Sequence, residues 1–416
     1  MRTKFALIGC GGMGFRHLLG YIEYLKYDKK LDLAAFVDFN EDSSSFLQQK
    51  YFNHSGKKLP LFKTFEDLSN SNLSLDSIDI ATTNDTHHII ATKSMNNNLN
   101  VMCEKPIALS IKLANELLAI QKKTGKTFSV FENFRRDPIN RFTKYVISSE
   151  KFGDILFAYD FESSYSEGKV MHGTGWRAKK NKGGGIVLDA GIHNADLLLY
   201  FLGPVEYVNG YSKIILPQRN LIPMKESNHV LKKFYGHRIE EYKSDKSISQ
   251  DAIDTVICSI IFESGALGSI LISDAIPNLK FNESWIHGTK MSLKRSSSRS
   301  GKPITLEINK QKYHGDDLRI FFPDFELDPI TREVFGDFDY SGFNVCFEDY
   351  DKKLIALEYL DFVNSLEKKS DPEVGVLEGI SSLSLAYSFI ETGYVDEKIS
   401  IKDFSISGHQ EYLNLD

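Results

Sequence analysis

Short apolar runs alternate with amphipathic stretches along the first third of the chain. The apolar runs predict buried strands at residues 4–9, 31–38, 77–83, 100–103 and 127–131. Between them, apolar positions at helical spacing predict helices at residues 12–26, 41–51, 85–97 and 111–123. Buried strands that alternate with helices of this length indicate a parallel sheet covered by helices on both faces.

The pattern changes after residue 134. Helices are predicted at 139–149, 189–202, 353–366 and 377–392, and strands at 155–161, 255–262, 267–273 and 290–293. The last three strands are closely spaced, which is typical of an antiparallel sheet. Residues 213–250 and 296–345 carry weak patterns, and we expect loops or insertions there. A chain of 416 residues is long for one core, so we predict two domains, at 1–134 and 135–416.

Composition narrows the class of protein. The formal net charge of −6 and the sequence pI of about 6.0 argue against a nucleic-acid-binding protein. We interpret the one basic stretch, residues 294–299, as a solvated loop. No signal-peptide core is evident, and no apolar stretch reaches the roughly 18–20 residues that span a membrane. The four cysteines form no CxxC pair, so neither a disulfide framework nor a zinc site is indicated, and we expect a cytoplasmic protein.

A glycine-rich motif joins the first predicted strand to the first predicted helix, and it reads Gly9-Cys10-Gly11-Gly12-Met13-Gly14. The first glycine of a GxGxxG motif permits a tight turn, and the second lets a pyrophosphate approach the backbone. The third lets the helix pack closely on the strand. The helix amino terminus offers N–H groups to the phosphates. The motif therefore predicts a dinucleotide site.

Asp38, at the end of the next predicted strand, indicates which dinucleotide is bound. Its carboxylate can accept hydrogen bonds from both hydroxyls of an adenosine ribose, and its charge would repel a 2′-phosphate. Residues 39–42 supply no cation for such a phosphate. The sequence therefore favours NAD over NADP. In the alternative interpretation, Asp38 or Asn40 only forms a turn or caps the following helix.

Lys105 is the first candidate for the chemistry. It follows the predicted strand at 100–103, and the carboxyl ends of parallel strands face the ligand crevice of such sheets. Pro106 disfavours helical geometry at Lys105, so the lysine is kept out of the following helix. Its ammonium could donate to a substrate oxygen and stabilise charge that develops there. Alternatively, Lys105 is a surface residue beside a turn.

The second candidate group follows three glycines, within residues 183–196. On a regular helix, Asp189, His193 and Asp196 fall at about 0°, 40° and 340°, which is one narrow face. A histidine flanked by carboxylates suits general-base catalysis, because the acids orient the ring and stabilise its protonated form. Two alternatives remain open. Asp189 and His193 could bind a metal, although a third ligand is missing nearby, or the three residues form an exposed polar face.

These motifs, in this order, resemble the Gfo/Idh/MocA family of oxidoreductases. The matching features are residues 9–14, Asp38, residues 82–87, Glu104-Lys105-Pro106, Arg135 with Pro138, Trp176-Arg177, residues 183–196, and residues 362–366 and 386–391. The resemblance implies a Rossmann domain followed by an α/β domain with an open, mostly antiparallel sheet. It also implies a homodimer or homotetramer, and we expect the helices near 353–392 to pack back toward the first domain.

The resemblance also implies roles by position. Lys105 would polarise the reacting oxygen, His193 would exchange its proton, and Asp189 would support the histidine or bind substrate. Four residues would line the substrate pocket, namely Trp176, Arg177, Asp196 and Arg135. Other residues would contact the cofactor, with the last three near the nicotinamide half: Gly9, Gly11, Gly12, Met13, Gly14, Asp38, Thr82, Asn84, His87 and Glu104. No metal is implied. The sequence departs from the family pattern at Thr83, where a proline is frequent, and in the long segments 213–250 and 296–345.

We therefore predict an NAD-dependent oxidoreductase that acts on a carbinol or ketone carbon of a sugar, cyclitol or related polyol. Two alternatives are an NAD-dependent glycosidase or lyase that uses transient oxidation, and a dinucleotide-binding sensor or co-repressor without chemistry. Lys105, Asp189 and His193 argue against the sensor, because a pure binder does not need them.

Overall fold

The first sheet contains the predicted strands in parallel order. A computed structural model describes residues 2–163, 169–170, 174–221, 229–237, 247–276, 281–408 and 410–414. The six strands are β1 (Thr3–Ile8), β2 (Leu31–Val37), β3 (Leu61–Phe62), β4 (Ser77–Ile80), β5 (Asn100–Glu104) and β6 (Phe128–Phe131). Their spatial order is β3-β2-β1-β4-β5-β6, and every pairing is parallel. The predicted doubly wound sheet is confirmed.

The helices that connect these strands are α1 (Gly12–Tyr24), α2 (Glu41–Ser55), α3 (Phe65–Ser69), α4 (His87–Asn96) and α5 (Ile111–Thr124). Two of them have side-chain caps and end in left-handed glycines, as helix termini commonly do. Asn40 caps α2 and Ser110 caps α5, while Gly56 and Gly125 have positive φ. The strand β3 and helix α3 were not predicted because two and five residues are too short for a periodic signal.

The second large sheet has nine strands, in the order β17-β16-β15-β14-β7-β13-β12-β9-β18. Their bounds are β7 (Ile155–Ser163), β9 (Val205–Lys213), β12 (Thr255–Phe262), β13 (Leu267–Ser273), β14 (Phe281–Gly288), β15 (Ser292–Arg295), β16 (Thr305–Ile308), β17 (Gln311–His314) and β18 (Ile399–Ser400). Only the β7–β13 pairing is parallel. The prediction of an open, mostly antiparallel sheet is confirmed.

The two segments expected to be loops contain regular structure. A small sheet joins β8 (Lys169–Val170), β10 (Gln218–Leu221) and β11 (Ser247–Ser249), and the helix α8 (His229–Tyr235) lies between the last two strands in sequence. The segment 296–345 supplies β16 and β17 to the large sheet. The expectation was wrong here because elements of three to seven residues leave no clear periodicity.

The remaining helices are α6 (Pro138–Ile147), α7 (Ile192–Leu202), α9 (Pro329–Phe335), α10 (Phe347–Lys368), α11 (Val376–Glu391), α12 (Ile401–Ser407) and α13 (Glu411–Asn414). The helix α10 packs on α1, and α11 contacts both α5 and α7, so the C-terminal helices contact the first sheet's layer as well as the second. In the described parts of the chain, no helix is both long enough and apolar enough to cross a membrane.

The segment predicted as a helix at 189–202 does not begin as a regular α-helix. Val187–Gly191 form a single π-helical turn, and α7 starts only at Ile192. Gly191 permits this widened turn to approach β13, because a Cβ on it would lie 2.6 Å from the Cδ1 atom of Ile272. A π turn adds a residue to the helical repeat. The side chain of Asp189 is therefore out of phase with those on α7.

Candidate active site

A cavity of about 590 Å³ opens at the carboxyl ends of the parallel strands. Gly9 follows β1, Thr82 follows β4 and Lys105 follows β5, and all three line it. Asp189 and Ala190 of the π turn and His193 of α7 line it as well. The structure thus brings the predicted ammonium and imidazole to one cavity together with the glycine-rich loop.

The glycine-rich loop has no room for side chains at its first and last glycine. Gly9 has a φ of 95°, and a Cβ on it would lie 2.5 Å from the carbonyl oxygen of Ala81. A Cβ on Gly14 would lie 1.8 Å from the carbonyl oxygen of Gly9, so this glycine sets the contact between helix and strand. The bare backbone at the amino end of α1 fits the pyrophosphate of a dinucleotide.

The helix α8 covers this loop, which the sequence did not indicate. A Cβ on Gly12 would lie 2.2 Å from the ring of Tyr235, and Tyr235 also forms a hydrogen bond with Arg177. The ring of His237 stacks on Phe46 at a centroid distance of 4.4 Å. The cofactor half of the cavity is therefore walled by a segment that was expected to be a loop.

Asp38 lines the cavity and holds the glycine-rich loop. Its Oδ2 atom accepts a hydrogen bond of 2.6 Å from the N–H group of Cys10, and its Oδ1 atom accepts one of 2.8 Å from Asn40. The cap of α2 is Asn40, which accepts from the N–H group of Ser43. The residue that caps α2 is therefore Asn40 and not Asp38, and the half-buried Asp38 carboxylate faces the cavity.

Glu104 belongs to a buried chain of charges. One carboxylate oxygen lies 3.1 Å from Nε2 of His17, and Nδ1 of His17 lies 3.0 Å from Asp79, which also accepts from the hydroxyl of Tyr359 at 2.5 Å. Burial lowers the pKa of His17, but the two carboxylates outweigh it and raise that pKa to about 9. Burial raises the pKa of Glu104, but His17 and Lys105 lower it to about 2. His17 therefore keeps Glu104 ionised beside Lys105.

We expect the charged His17 to stabilise the fold in a pH-dependent way. Its pKa rises from 6.5 in the unfolded chain to about 9 in the fold, which corresponds to about 3 kcal/mol. That stability is fully present below pH 6.5 and is lost as the pH rises to 9. Urea unfolding at several pH values should show the gap between wild type and His17→Gln shrinking across this interval. A gap that is independent of pH would contradict the assignment.

Lys105 is half-buried at the cavity wall. Its Nζ atom donates a hydrogen bond of 2.5 Å to the backbone carbonyl of Asp189. Asp189 belongs to the π turn and also lines the cavity. The backbone N–H of Lys105 donates to the carboxylate of Glu104 at 3.2 Å. This ammonium therefore sits at the junction of β5 and the π turn, which does not fit the alternative of a surface lysine beside a turn.

His193 is supported by a carboxylate that the sequence did not indicate. Its Nδ1 atom lies 2.6 and 2.8 Å from the two carboxylate oxygens of Glu132, which follows β6. The imidazole stacks on Phe134 at a centroid distance of 4.0 Å and an angle of 5°. With Nδ1 engaged, Nε2 is the ring nitrogen left for the cavity. The prediction that Asp189 or Asp196 flanks His193 was wrong, because the π turn and the burial of Asp196 turn both acids to other partners.

The His193–Glu132 pair is poised to take up one proton. Burial raises the pKa of Glu132 to about 7. Burial, Lys105 and Arg299 lower the pKa of His193. The proton gained near neutral pH is shared in the short bond between the two side chains, so the pair titrates as a unit.

Asp189 and Asp196, the two acids predicted to share a helix face with His193, form ion pairs with arginines. Asp189 accepts from Nε of Arg177 at 2.8 Å, and the Arg177 guanidinium lies 4.5 Å from the Trp176 ring. These three residues line the cavity as predicted. Asp196 is fully buried and accepts two hydrogen bonds, of 2.6 and 2.8 Å, from Arg135. Neither Asp196 nor Arg135 lines the cavity, which corrects their prediction as substrate-binding residues.

Asn84 and His87, which were predicted to lie near the nicotinamide, line the cavity and also form hydrogen bonds with backbone carbonyl groups. The Asn84 side chain donates to the carbonyl of Gly183 at 2.9 Å. The ring nitrogens of His87 lie 2.7 Å from the carbonyl oxygen of Pro106 and 3.3 Å from that of Thr82. Burial lowers the pKa of His87, which favours its neutral form. Among the described residues, no group of three His, Cys, Asp or Glu side chains is arranged to hold a metal ion.

The basic stretch at 294–299 is not a solvated loop. Arg295 is buried and donates hydrogen bonds of 3.0 Å to Asp160 and to Ser284. Arg299 lines the cavity. The prediction failed because both arginines find carboxylates on distant segments, and the local composition gives no sign of these partners.

Comparison with known proteins shows which family the chain belongs to. The family model described as oxidoreductase family, NAD-binding Rossmann fold, matches residues 3–132, and the GFO/IDH/MocA C-terminal domain matches residues 141–294. The 1,5-anhydro-D-fructose reductase of Ensifer adhaerens is 28% identical over 137 residues, which are 32% of this chain and 40% of that relative. The D-apiose dehydrogenase of Paraburkholderia graminis is 27% identical over 207 residues, which are 49% and 51%. The chain thus spans about half or less of the length of these relatives.

A solved structure of levoglucosan dehydrogenase in complex with NADH has the same fold, with a TM-score of 0.75 at 19% identity over 96% of this chain and 99% of that one. The fold and the two models define an NAD-binding oxidoreductase. The chain belongs to the Gfo/Idh/MocA family, and its N-terminal Rossmann domain binds NAD. The resemblance inferred from the motifs is confirmed.

Proposed function

We propose that this protein is an NAD-dependent dehydrogenase that oxidises a CH–OH group of a sugar or polyol, or reduces the corresponding ketone. One observation carries the proposal. Lys105 and the Glu132-supported His193 line the same cavity as the glycine-rich loop. The relatives named for anhydrofructose and apiose support a sugar-like substrate.

The residues divide the work of oxidation. Bound NAD supplies the nicotinamide ring that accepts the hydride from the carbinol carbon. Nε2 of His193 removes the hydroxyl proton, and the carboxylate of Glu132 orients the ring and stabilises its positive charge. The ammonium of Lys105 donates to the same oxygen and stabilises the negative charge that develops on it. Reduction of a ketone uses the same groups in reverse, with His193 returning the proton.

The preference for NAD over NADP rests on Asp38. Its carboxylate lines the cavity beside the glycine-rich loop, where it would repel a 2′-phosphate. Lys63, a cation that also lines the cavity, is paired with Glu41 at 2.7 Å. Both side chains of that pair are exposed, so the pairing is weak and the preference depends mainly on Asp38.

The test is a screen for NAD reduction over sugars, sugar acids, inositols and nucleotide sugars, repeated with NADP. We expect NADH to accumulate with at least one compound and NADP to be used poorly. A glycosidase or lyase would convert substrate with no net NADH, and a sensor would bind NADH without any turnover. Either result would overturn the proposal.

We further propose that two or four copies associate through the open face of the nine-stranded sheet. Tyr211 and Ile257 pair across β9 and β12, and the same face continues through Leu267 on β13 and Phe157 on β7. All four side chains are exposed. The four side chains thus lie on one face of four adjacent strands. Large exposed apolar patches commonly mark such interfaces.

Ile257→Glu should therefore convert the oligomer to a monomer, because it places a charge at the centre of that face. Light scattering measures the mass directly. Ile320→Glu, which changes a still more exposed isoleucine outside the sheet face, is the control and should leave the mass unchanged. A wild-type protein that is already monomeric would rule out the interface.

The four cysteines are free in the structure, and Cys10, Cys103 and Cys258 are buried. Free thiols are compatible with a reducing compartment, so we propose a cytoplasmic location.

A further inference from the structure

Arg299 brings a positive charge to the substrate half of the cavity. It lies between β15 and β16, in the segment that was expected to be a solvated loop, and lines the cavity with His193. Its guanidinium lies 4.8 Å from the ring centroid of Phe134, the same ring that stacks on His193. The backbone φ of Arg299 is 62°, a conformation that non-glycine residues rarely adopt. The fold therefore places this guanidinium beside the phenyl ring on which the proposed catalytic histidine stacks.

The charge of Arg299 is only partly balanced. Asp351 accepts hydrogen bonds on both carboxylate oxygens from Arg16. The bond from Nη1 of Arg299 to the same carboxylate is longer, at 3.4 Å. Two guanidinium groups thus share one carboxylate, and Arg299 makes the longer bond to it. Among the described residues, the buried Nε atom of Arg299 has no hydrogen-bond partner.

The neighbouring acids are engaged elsewhere. Glu132 is bound to His193. Glu162, on the sheet side of the cavity, accepts from Asn194, and burial raises its pKa, so its charge is disfavoured. Asp137 accepts from the backbone N–H of Arg299 and also from Tyr350 and Ile139. These acids do not supply Arg299 with a side-chain hydrogen bond.

We propose that Arg299 binds an anionic group of the substrate, and that the substrate is a sugar acid or polyol acid rather than a neutral sugar. This inference rests on the proposed dehydrogenase function. A guanidinium presents two parallel N–H donors to a carboxylate, and the edge formed by Nε and Nη2 is the one that Asp351 does not occupy. A substrate carboxylate there would also give Arg299 a partner of its own, because Arg16 takes both oxygens of Asp351.

The cofactor pyrophosphate is the other possible source of an anion. Arg16 is on α1 close to the glycine-rich loop, and Arg299 is linked to Arg16 through Asp351. If Arg299 served the cofactor, its removal would weaken NADH binding and would affect acidic and neutral substrates equally. The two roles therefore give different results in one set of measurements.

The experiment compares kcat/KM for matched substrates with and without a carboxylate, such as D-glucuronate with D-glucose and D-gluconate with sorbitol. We expect the wild type to favour the acids by at least about tenfold. Arg299→Gln should lower kcat/KM for the acids by about 10- to 100-fold and for the neutral compounds by less than about threefold. Arg299→Lys should lose less, because it keeps the charge but not the two parallel donors. Arg319→Gln, an exposed arginine of the same segment, is the control.

NADH affinity by fluorescence titration and the melting temperature are measured for each variant. An equal loss for acids and neutral compounds, or a loss of NADH affinity alone, would overturn the proposal. If Arg299→Gln does not fold, the proposal is tested with Arg299→Lys alone. An unchanged ratio of kcat/KM for acids to kcat/KM for neutral compounds in that variant would then count against the proposal. A wild-type enzyme that oxidises neutral polyols as well as acids would refute this inference and leave the dehydrogenase function intact. Failure to reduce NAD with any compound would instead refute that function.

Discussion

Lys105→Ala and His193→Ala, made separately, should each lower turnover by on the order of 10³-fold while NADH still binds. Lys105 donates to the oxygen on which charge develops, and His193 takes the proton, so each loss raises the barrier of the same step. Neither side chain belongs to the glycine-rich loop or to the Asp38 bonds that hold it. The measurements are steady-state NADH formation with the substrate identified by the screen, and fluorescence titration with NADH.

Lys182→Ala is the matched control for this prediction. Lys182 is an exposed lysine that pairs with Asp85 at 3.3 Å, close to the glycines that precede the π turn. We expect its loss to change turnover by less than about threefold, because exposed ion pairs contribute little. Near-normal rates in both Lys105→Ala and His193→Ala would exclude the proposed roles. A loss of NADH affinity equal to the loss of rate would instead indicate a damaged cofactor site.

The parallel sheet was predictable because its strands are buried on both faces. Apart from the two-residue β3, each therefore appears in the sequence as a mainly apolar run, and the run ends near the residue where the strand ends. The same feature located Lys105, since a polar group directly after such a strand faces the ligand crevice. Strand β9 was not predicted. Its buried positions are few, and one position of its inner face, opposite buried Cys258, is a glycine, Gly210.

The partner of His193 shows where local spacing fails. Helical geometry places Asp189 and Asp196 beside His193, and that prediction depends on a regular helix. The π turn removes Asp189 from this face, and Asp196 turns to Arg135. Glu132 directly follows β6, so the rule that located Lys105 applies to it as well. The 61 residues that separate it from His193 give no sequence sign of their contact.

The structure also differs from the sequence-based prediction in the long segments 213–250 and 296–345. Their elements are short, so hydrophobic periodicity does not reveal them, and their contribution to the site depends on contacts far along the chain. Tyr235 reaches Gly12 across more than half of the chain's length, and Arg299 reaches Asp351. Both segments add walls to a cavity whose chemistry is supplied by the predicted residues. Substrate specificity is therefore the property that the sequence motifs predict least well.

Glu132→Gln should lower turnover at pH 7 by on the order of 10³-fold and should also change the pH profile. The amide keeps the shape of the carboxylate but can donate to Nδ1 of His193, which leaves the proton on Nε2 and prevents that atom from acting as a base. In the wild type, oxidation should slow about tenfold per pH unit below about pH 7, where the pair takes up its proton. In the variant, burial, Lys105 and Arg299 keep the pKa of His193 low without a carboxylate to share the proton. The acid limb should therefore move to lower pH.

The pH profile separates this role from simple structural damage. Glu162→Gln removes another buried carboxylate of the same cavity, but Glu162 bonds to Asn194 rather than to His193. Its acid limb should stay near that of the wild type even if its KM changes. Glu132→Asp restores the charge on a shorter side chain and should recover part of the rate. If the limb of Glu132→Gln stays near pH 7, the titrating group is not this pair, and the proposed role of Glu132 is excluded.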